Sequence, residues 1–391
     1  MLELLLFALA GVLAGIAFGL VPGLHPNTVV AFTPLFAGFE PAGAAAFLIS
    51  MGVSNIMVDF IPSVILSAPD AGSELSVLPA QRLMSQGHGY SAIRFMLIGF
   101  VGSFLLFISV APLIGLLVPT AFSVSRHLIF AVLIFISCAM VLSEKRIASA
   151  VLVFSAAGAI GLASGGLPVN PAFILFPILA GFFGVSSMIL QLRSRSSIVL
   201  QSIGYLASDR KSYAKSSITG CAGGILSGFL PGVGSSEIAS LFSLKKDEKS
   251  FLVTLGAIAS SNFMMSIFAV WLIGKTRSGI AVAVNNVYIL SSGDVFMVVF
   301  ASMLSMGISA VFVLKASRFL MERLQKTNYS WISSAVISFV VFMTFMFSGF
   351  YGIAILFTCT ALGIYAILSG VKRGLMMAAL IVPTVLFFAG I

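Results

Sequence analysis

The sequence predicts an all-α polytopic membrane protein, and three observations support that prediction. Only 8% of its 391 residues are charged and 59% are hydrophobic, whereas soluble domains carry about 25% charged residues. Hydrophobic runs of about twenty residues, long enough to cross a bilayer, recur from one end of the chain to the other. Glycine is abundant, with 37 residues, as expected where helices pack closely inside a membrane. We therefore expect a multi-pass protein of the cell membrane.

Charge and cysteine content narrow the function classes. The formal net charge of +9 comes from basic loops between apolar runs, a pattern typical of the positive-inside rule rather than of nucleic-acid binding. We therefore expect membrane lipids, and no nucleic acid, as partners of this chain. The three cysteines are Cys138, Cys221 and Cys359, and their odd number and wide spacing predict neither a disulfide framework nor a metal site.

Two distant stretches of the chain share a Gly-x₃-Gly-x₂-Pro-Gly pattern. GIAFGLVPGLHPNTVVA begins at Gly15, and GILSGFLPGVGSSEIAS begins at Gly224. The aligned pairs are Gly15 with Gly224, Gly19 with Gly228, Pro22 with Pro231, Gly23 with Gly232, Ser54 and Asn55 with Ser261 and Asn262, and Gly72 with Gly279. The pattern predicts an internal duplication, with a first repeat at 1–205 and a second at 206–391, both in the membrane.

Each predicted repeat contains seven apolar segments. They lie near 2–21, 28–38, 42–67, 91–118, 126–143, 147–166 and 171–191 in the first repeat, and near 216–231, 235–243, 250–273, 294–320, 331–349, 351–370 and 374–390 in the second. The second segment of each set is about half the length that a bilayer requires. We therefore predict that each Pro-Gly motif forms the tip of a re-entrant hairpin, which leaves about ten transmembrane helices plus two hairpins.

The basic residues predict how these segments are oriented. With both hairpins returning to their own side, all but three of the 21 Lys and Arg residues fall in loops on one side, which is the cytoplasmic side by the positive-inside rule. The exceptions are Arg126, Lys275 and Arg277. Five crossings per repeat is an odd number, so the repeats are expected to be inverted. The first hairpin then enters from outside and the second from the cytoplasm, with both chain termini outside.

The tips carry the residues that we expect to bind a substrate. A new helix is predicted just after each Pro-Gly turn, capped by Asn27 or Thr28 and by Ser235 or Ser236, and unpaired N–H groups at a helix N-terminus attract anions. Glycine lets the backbone approach a ligand closely. The predicted binding residues are Pro22, Gly23, His25, Asn27, Thr28, Pro231, Gly232, Gly234, Ser235 and Ser236. The alternative is that both motifs are packing kinks, with a neutral His25 shaping the first turn.

A second set of polar residues lies within the apolar runs. Asn55 and Asp59 are four residues apart and share one helix face, and an intramembrane carboxylate is usually functional. Glu237 lies in the first turn of a predicted helix, where the helix dipole alone would favour it. The coupling or polar intramembrane residues that we predict are Asn55, Asp59, Glu237, Ser261 and Asn262. No cofactor is expected beyond a coupling Na⁺ or H⁺.

Catalytic motifs are not found in the sequence. It contains no Walker motif, nucleotide fingerprint, His/Cys metal cluster or plausible nucleophile–base pair, so we predict no catalytic residues. The sequence favours a secondary transporter of an anionic substrate over an enzyme. A translocase for polyprenyl phosphate is the alternative within transport, and an intramembrane enzyme that modifies lipids is a third hypothesis.

The duplicated elements GLVPGLHPN and GFLPGVGSS, each followed by a Ser-Asn run, resemble the TctA-type large permease subunit of tripartite tricarboxylate transporters, in particular its shorter archaeal-type members. The resemblance implies a secondary transporter of carboxylates with an inverted-repeat fold. It also implies a small membrane subunit and an extracytoplasmic binding protein as partners. The tips resemble those of polyprenyl-phosphate flippases as well, so the ligand is expected to be a small carboxylate or a lipid phosphate. A homodimer is one oligomeric state that the sequence permits.

Overall fold

A computed structural model describes residues 2–21, 36, 38–65, 77–125, 129–169, 171–194, 199–204, 206, 210–229, 247–276, 278–324 and 329–389. Every regular element in these ranges is helical. The helices are α1 (Leu2–Gly19), α2 (Pro41–Val58), α3 (Phe60–Ile65), α4 (Val77–Ser85), α5 (Gly89–Ser125), α6 (Ile129–Leu142), α7 (Ile147–Gly165), α8 (Pro171–Leu179), α9 (Ser186–Ser194), α10 (Arg210–Phe229), α11 (Glu248–Ile273), α12 (Gly279–Val287), α13 (Val295–Leu324), α14 (Tyr329–Ser369) and α15 (Ala378–Ala389). A π-helical segment, Ala180–Val185, joins α8 to α9, and 3₁₀ turns at Ser292–Asp294 and Arg373–Met377 precede α13 and α15.

The predicted all-α membrane fold is confirmed. Eight helices in the described part of the chain are long and apolar enough to cross a membrane. Their spans are Leu2–Gly19, Pro41–Ile65, Gly89–Thr120, Ile147–Gly165, Phe173–Leu190, Glu248–Ile273, Ser292–Arg323 and Ser333–Ser369. Two shorter apolar helices cover Leu133–Leu142 and Arg373–Phe387. The structure therefore places a helix on each predicted crossing, and α4 and α12 are additional short helices that the sequence did not reveal.

The long helix α14 contains a chain reversal at Gly349. This residue has φ 58° and ψ −151°. A positive φ of this kind is not helical, and glycine adopts it readily because it has no Cβ. A Cβ placed on Gly352 would lie 3.1 Å from Cγ2 of Thr344. Residues eight apart in a straight helix are separated by about 12 Å, so α14 consists of two antiparallel arms. The predicted boundary between segments 331–349 and 351–370 falls at this reversal.

The described helices of the two predicted repeats pack against each other in reciprocal pairs. Helix α5 of the first repeat packs on α11 of the second, and α13 of the second packs on α2 of the first. The contacts of α4 with α11 are mirrored by those of α12 with α2, and the contacts of α10 with α5 by those of α1 with α13. One hydrophobic core is built from both repeats. The duplication remains a prediction. Two related repeats are expected to make equivalent contacts with each other, and these pairs of contacts are equivalent.

The two central helices, α2 and α11, run in opposite directions. Most residues of each are buried, whereas only 28% of the residues in the most apolar stretches of α1, α5 and α7 are buried. Glu40, just before α2, lies near Tyr288, which follows α11 and α12. At the other end, Arg82 Nη1, which follows α2 and α3, lies 3.1 Å from Oε1 of Glu248 at the start of α11. The N-terminal end of each central helix therefore lies near residues that follow the C-terminal end of the other, as expected for antiparallel helices.

Other contacts join loops that the charge pattern assigned to the cytoplasm. Lys372 Nζ lies 3.6 Å from Oε1 of the buried Glu144. The N–H of Gly89 donates to Oε1 of Gln201 at 3.0 Å, which fastens the segment before α10 to the start of α5. The described contacts therefore agree with the predicted grouping of loops by side. These contacts show which loops lie together and not which side of the membrane is cytoplasmic.

Candidate functional site

The predicted tips lie outside the described residues. This applies to Pro22, Gly23, His25, Asn27 and Thr28, and to Pro231, Gly232, Gly234, Ser235, Ser236 and Glu237. Their roles remain predictions. The structure does describe the helices that lead into both tips, α1 and α10, together with the Ser-Asn pairs and Asp59. The surroundings of the tips can therefore be built from these elements.

Helix α1 lies on α2 along a seam of glycines spaced four residues apart. A Cβ on Gly11 would lie 2.2 Å from the carbonyl oxygen of Phe47, and one on Gly15 would lie 2.4 Å from that of Met51. Gly19, the last residue of α1, faces the carbonyl of Asn55 in the same way. Only glycine permits this approach, as in small-residue interfaces of membrane helices. Since the contacting numbers rise together along both helices, α1 and α2 run parallel.

Helix α10 makes the corresponding seam with α11. A Cβ on Gly224 would lie 2.6 Å from the carbonyl oxygen of Ile258 and 1.9 Å from Oγ of Ser261. Gly228, one residue before the end of α10, faces Met265 and the carbonyl of Asn262. These helices are also parallel. The pairs Gly15 and Gly224, Gly19 and Gly228, and the two Ser-Asn motifs, aligned on sequence alone, therefore occupy equivalent contacts.

Parallel packing constrains the chain beyond each seam. A helix merely kinked at Pro22 would continue to the far side, and α2 would then run back antiparallel to α1. Instead the rings of Phe7 and Phe39 are 5.7 Å apart, so the chain has returned to the level at which α1 begins. In the second repeat, the hydroxyls of Ser212 and Ser250 are 2.7 Å apart, near the starts of α10 and α11. Both returns are what re-entrant hairpins require.

The Ser-Asn motifs flank the point where α2 crosses α11. A Cβ on Gly52 would lie 2.6 Å from Cε2 of Phe263, so the backbone of α2 rests against that ring near the middle of both helices. Asn55 is three residues from Gly52 and Asn262 is adjacent to Phe263. The ends of α1 and α10, which abut these asparagines, therefore approach the same crossing from the two repeats.

The two serines of these motifs have structural partners. Ser309 Oγ, on α13, donates to Oγ of Ser54 at 2.8 Å. Ser261 Oγ donates within its own helix to the carbonyl of Ala257 at 2.9 Å and contacts the carbonyl of Gly220 on α10 at 3.3 Å. Both serines are fully buried. Hydroxyls of this kind hold membrane helices together, and the predicted polar role of Ser261 fits that function.

The asparagines differ from one another. Asn55 is 1% exposed, and among the residues that the structure describes neither its Oδ1 nor its Nδ2 has a hydrogen-bond partner. Asn262 does interact with another group. Buried amides are nearly always paired, so Asn55 is an exception, and it lies at the helix crossing. Sequence reasoning predicted that this residue is important but could not predict that its amide is unpaired.

Asp59 lies one turn after Asn55, buried between α2 and α3. Its Oδ2 accepts a hydrogen bond from Oγ of Ser63 at 3.0 Å, and Asp59 has a further interaction. The equivalent position in the second repeat is Ser266, whose Oγ donates to the carbonyl of Phe263 at 2.8 Å and lies 3.0 Å from Oγ of Ser278. One repeat therefore carries a carboxylate where the other has a self-contained pair of hydroxyls.

A polar cap lies at the end of this helix pair, where the span Ser292–Arg323 begins, and sequence reasoning missed it. Tyr288 Oη donates to Oδ1 of Asp294 at 2.9 Å, and Ser291 donates to Oδ2 through both its N–H and its hydroxyl. The hydrogen bond to Asp294 raises the pKa of Tyr288. A Ser-x-x-Asp capping box before an apolar run was the available sequence signal.

Comparison with known proteins bears on the family of this chain. The chain is 28% identical over 398 residues to the uncharacterized protein MJ1079 of Methanocaldococcus jannaschii, and the alignment covers 98% of each chain. No solved structure matches. The model of the tripartite tricarboxylate transporter TctA family matches residues 5–378. Members of that family are secondary transporters of tricarboxylates that typically work with other transporter components. The match spans nearly the whole chain, and this multi-pass protein of the plasma membrane therefore belongs to the tripartite tricarboxylate transporter TctA family.

Proposed function

We propose that this protein binds a small tricarboxylate between its two Pro-Gly tips and moves it across the membrane, coupled to an ion gradient. The observation that carries the proposal is the parallel packing of α1 on α2 and of α10 on α11. This packing places the end of α1, at Gly19, against Asn55 and the end of α10, at Gly228, against Asn262. Both helices therefore lead into their tips at the point where α2 crosses α11. A substrate at that crossing would contact both repeats.

The chemistry of the tips suits an anion. The sequence predicts that a helix starts just after each Pro-Gly turn, so that unpaired N–H groups and the positive end of the helix dipole face the space between the tips. In other transporter folds the N-termini of broken helices point at anionic substrate groups such as carboxylates, and the N–H groups of a helix N-terminus can bind an anion. Water exclusion at the buried crossing strengthens these interactions, because charges interact more strongly in a low dielectric.

The antiparallel relation of α2 and α11 suits alternating access. In inverted-repeat transporters, one repeat rocks against the other around a fixed site. Here the tight glycine seams join each hairpin arm to the central helix of its own repeat. We propose that each arm and its central helix move as one unit. No covalent step is needed, and we propose none.

The typical partners of the family extend this proposal. A small membrane subunit and an extracytoplasmic binding protein would deliver the substrate to the mouth that faces outward. A lipid phosphate could also bind unpaired N–H groups, so the substrate test must include it. The partners affect delivery, whereas binding between the tips depends only on this chain.

The experiment is transport by the purified full-length protein in liposomes. Citrate inside the vesicles should rise above the protein-free level when an inward Na⁺ or H⁺ gradient is imposed, because coupling allows uphill movement. A fluorescent short-chain polyprenyl phosphate is added to matched vesicles, and its transfer between leaflets is measured. Transfer of the lipid without uptake or binding of citrate would contradict the proposed substrate. If the protein neither takes up citrate nor transfers the lipid, and also does not bind citrate, the proposal that it transports either ligand would be contradicted.

A further inference from the structure

Three oxygen-bearing side chains form a line along α2 and α3. Asn55, Asp59 and Ser63 are spaced four residues apart, which places them on one helix face. All three are buried. Ser63 donates to Oδ2 of Asp59 at 3.0 Å, so the lone pairs of its hydroxyl oxygen point away from that proton. The line begins at the helix crossing that forms the proposed substrate site.

The amide of Asn55 indicates that this line holds a ligand. Both its polar atoms are buried and have no hydrogen-bond partner in the described part of the chain, although more than nine in ten buried polar groups are paired in folded proteins. Asn262, at the equivalent position, is engaged. An unpaired amide oxygen one turn from a buried carboxylate offers two oxygens to one cation, and such a cation would satisfy an otherwise unfavourable group.

A proline adds a backbone oxygen to the line. Pro62 has no N–H to donate to the carbonyl of Val58, and its ring crowds that carbonyl. This explains why α2 ends at Val58 and α3 begins at Phe60. In transporters, carbonyls at such helix breaks coordinate ions. The counterpart of Pro62 is Ala269, and α11 continues unbroken to Ile273, so only the first repeat has this break.

We propose that Asn55, Asp59, Ser63 and the carbonyl of Val58 form a binding site for one Na⁺ per chain. The inference rests on the proposed function, because this ion would be the one coupled to the carboxylate. A hard cation prefers carboxylate, carbonyl, amide and hydroxyl oxygens. One carboxylate balances one positive charge. A proton would need only Asp59 and would leave the amide of Asn55 unpaired.

The test is thermal unfolding of the purified full-length protein in NaCl, with KCl and choline chloride at the same ionic strength and with no carboxylate present. Na⁺ alone should raise the Tm of the wild type in a saturable manner, because a ligand of the folded state stabilises it. Asn55→Leu should unfold no earlier than the wild type without Na⁺, since the lost amide had no partner. Its Na⁺ affinity should fall by about tenfold or more.

Asn262→Leu is the matched control, because Asn262 holds the equivalent position in the second repeat and interacts with another group. It should lower the Tm in every salt and keep the shift caused by Na⁺. Asp59→Asn, which preserves size, should lose the Na⁺ shift even if Asn55→Leu does not fold. A wild-type Tm that does not respond to Na⁺, or an unchanged Na⁺ shift in Asp59→Asn, would overturn the site. A Tm that depends on pH and not on Na⁺ would also overturn it, in favour of a proton.

Citrate binding measured on the same samples separates this inference from the proposed function. Citrate binding without any response to Na⁺ would refute the sodium site and leave the proposed substrate in place. A Na⁺ response that Asn55→Leu weakens, without citrate binding, would support the sodium site and refute the substrate. The two failures therefore have different signatures.

Discussion

Gly23→Val and Gly232→Val are each expected to reduce citrate transport by about 100-fold or more, the loss that small misplacements of a binding group can cause. Glycine after proline commonly adopts φ > 0 in a tight turn, a conformation that valine resists. The branched side chain would also occupy the space where the backbone N–H groups approach the substrate. Each tip contributes half of the proposed site, so either substitution alone should cause this loss of citrate transport.

The matched control for these variants is Gly38→Val. A Cβ on Gly38 meets no atom of the described residues within 4 Å, so the same substitution there should leave transport unchanged. Expression and monodispersity are compared for all three variants before uptake is measured. Full transport by both tip variants would show that the Pro-Gly motifs are only kinks, and the role assigned to both tips would then fail.

Asp59→Asn is expected to abolish accumulation while sparing exchange. A tenfold ion gradient stores about 1.4 kcal/mol per ion, enough for about tenfold accumulation of a substrate carried with one ion. The amide keeps the size of the carboxylate and much of its hydrogen bonding but removes the charge that holds the cation. With the membrane potential clamped at zero, the variant should equilibrate citrate without concentrating it and should still exchange labelled for unlabelled citrate.

Ser266→Ala is the control for this variant, because Ser266 holds the equivalent position in the second repeat. Its hydroxyl bonds to the carbonyl of Phe263 and lies beside Ser278, which indicates a structural role. Accumulation should therefore persist in Ser266→Ala. If Asp59→Asn concentrated citrate as well as the wild type does, the carboxylate would have no part in coupling.

Much of the fold follows from the sequence because membrane helices are specified locally. A run of about twenty apolar residues must form a helix to satisfy its own backbone in lipid, and the ten predicted crossings therefore coincide with helices of the described residues. The short helices α4 and α12 were missed because neither is long enough to give that signal. The reversal at Gly349 was predicted from a boundary between apolar runs, although the conformation that permits it was not.

The candidate site was less predictable because it depends on contacts between distant segments. Gly15 and Gly224 were recognised as markers of a repeat, whereas their role as points of backbone contact requires the positions of α2 and α11. The shared face of Asn55 and Asp59 follows from helical periodicity. The absence of a partner for Asn55, and the bond between Ser54 and Ser309, depend on which helices surround α2, and no local pattern encodes that.

The central claim is that one tricarboxylate is held by both tips, and protection from alkylation tests it most directly. Thr28→Cys and Ser236→Cys are introduced one at a time in a background without Cys138, whose thiol is exposed, while the remaining Cys221 and Cys359 are buried. Gly38→Cys, at an open position at the end of the predicted hairpin segment 28–38 that lies away from the tip, is the control. Citrate should slow alkylation at both tips with the same concentration dependence and leave Gly38→Cys unaffected. Protection of neither tip, or of one tip alone, would contradict a substrate site shared between the two repeats.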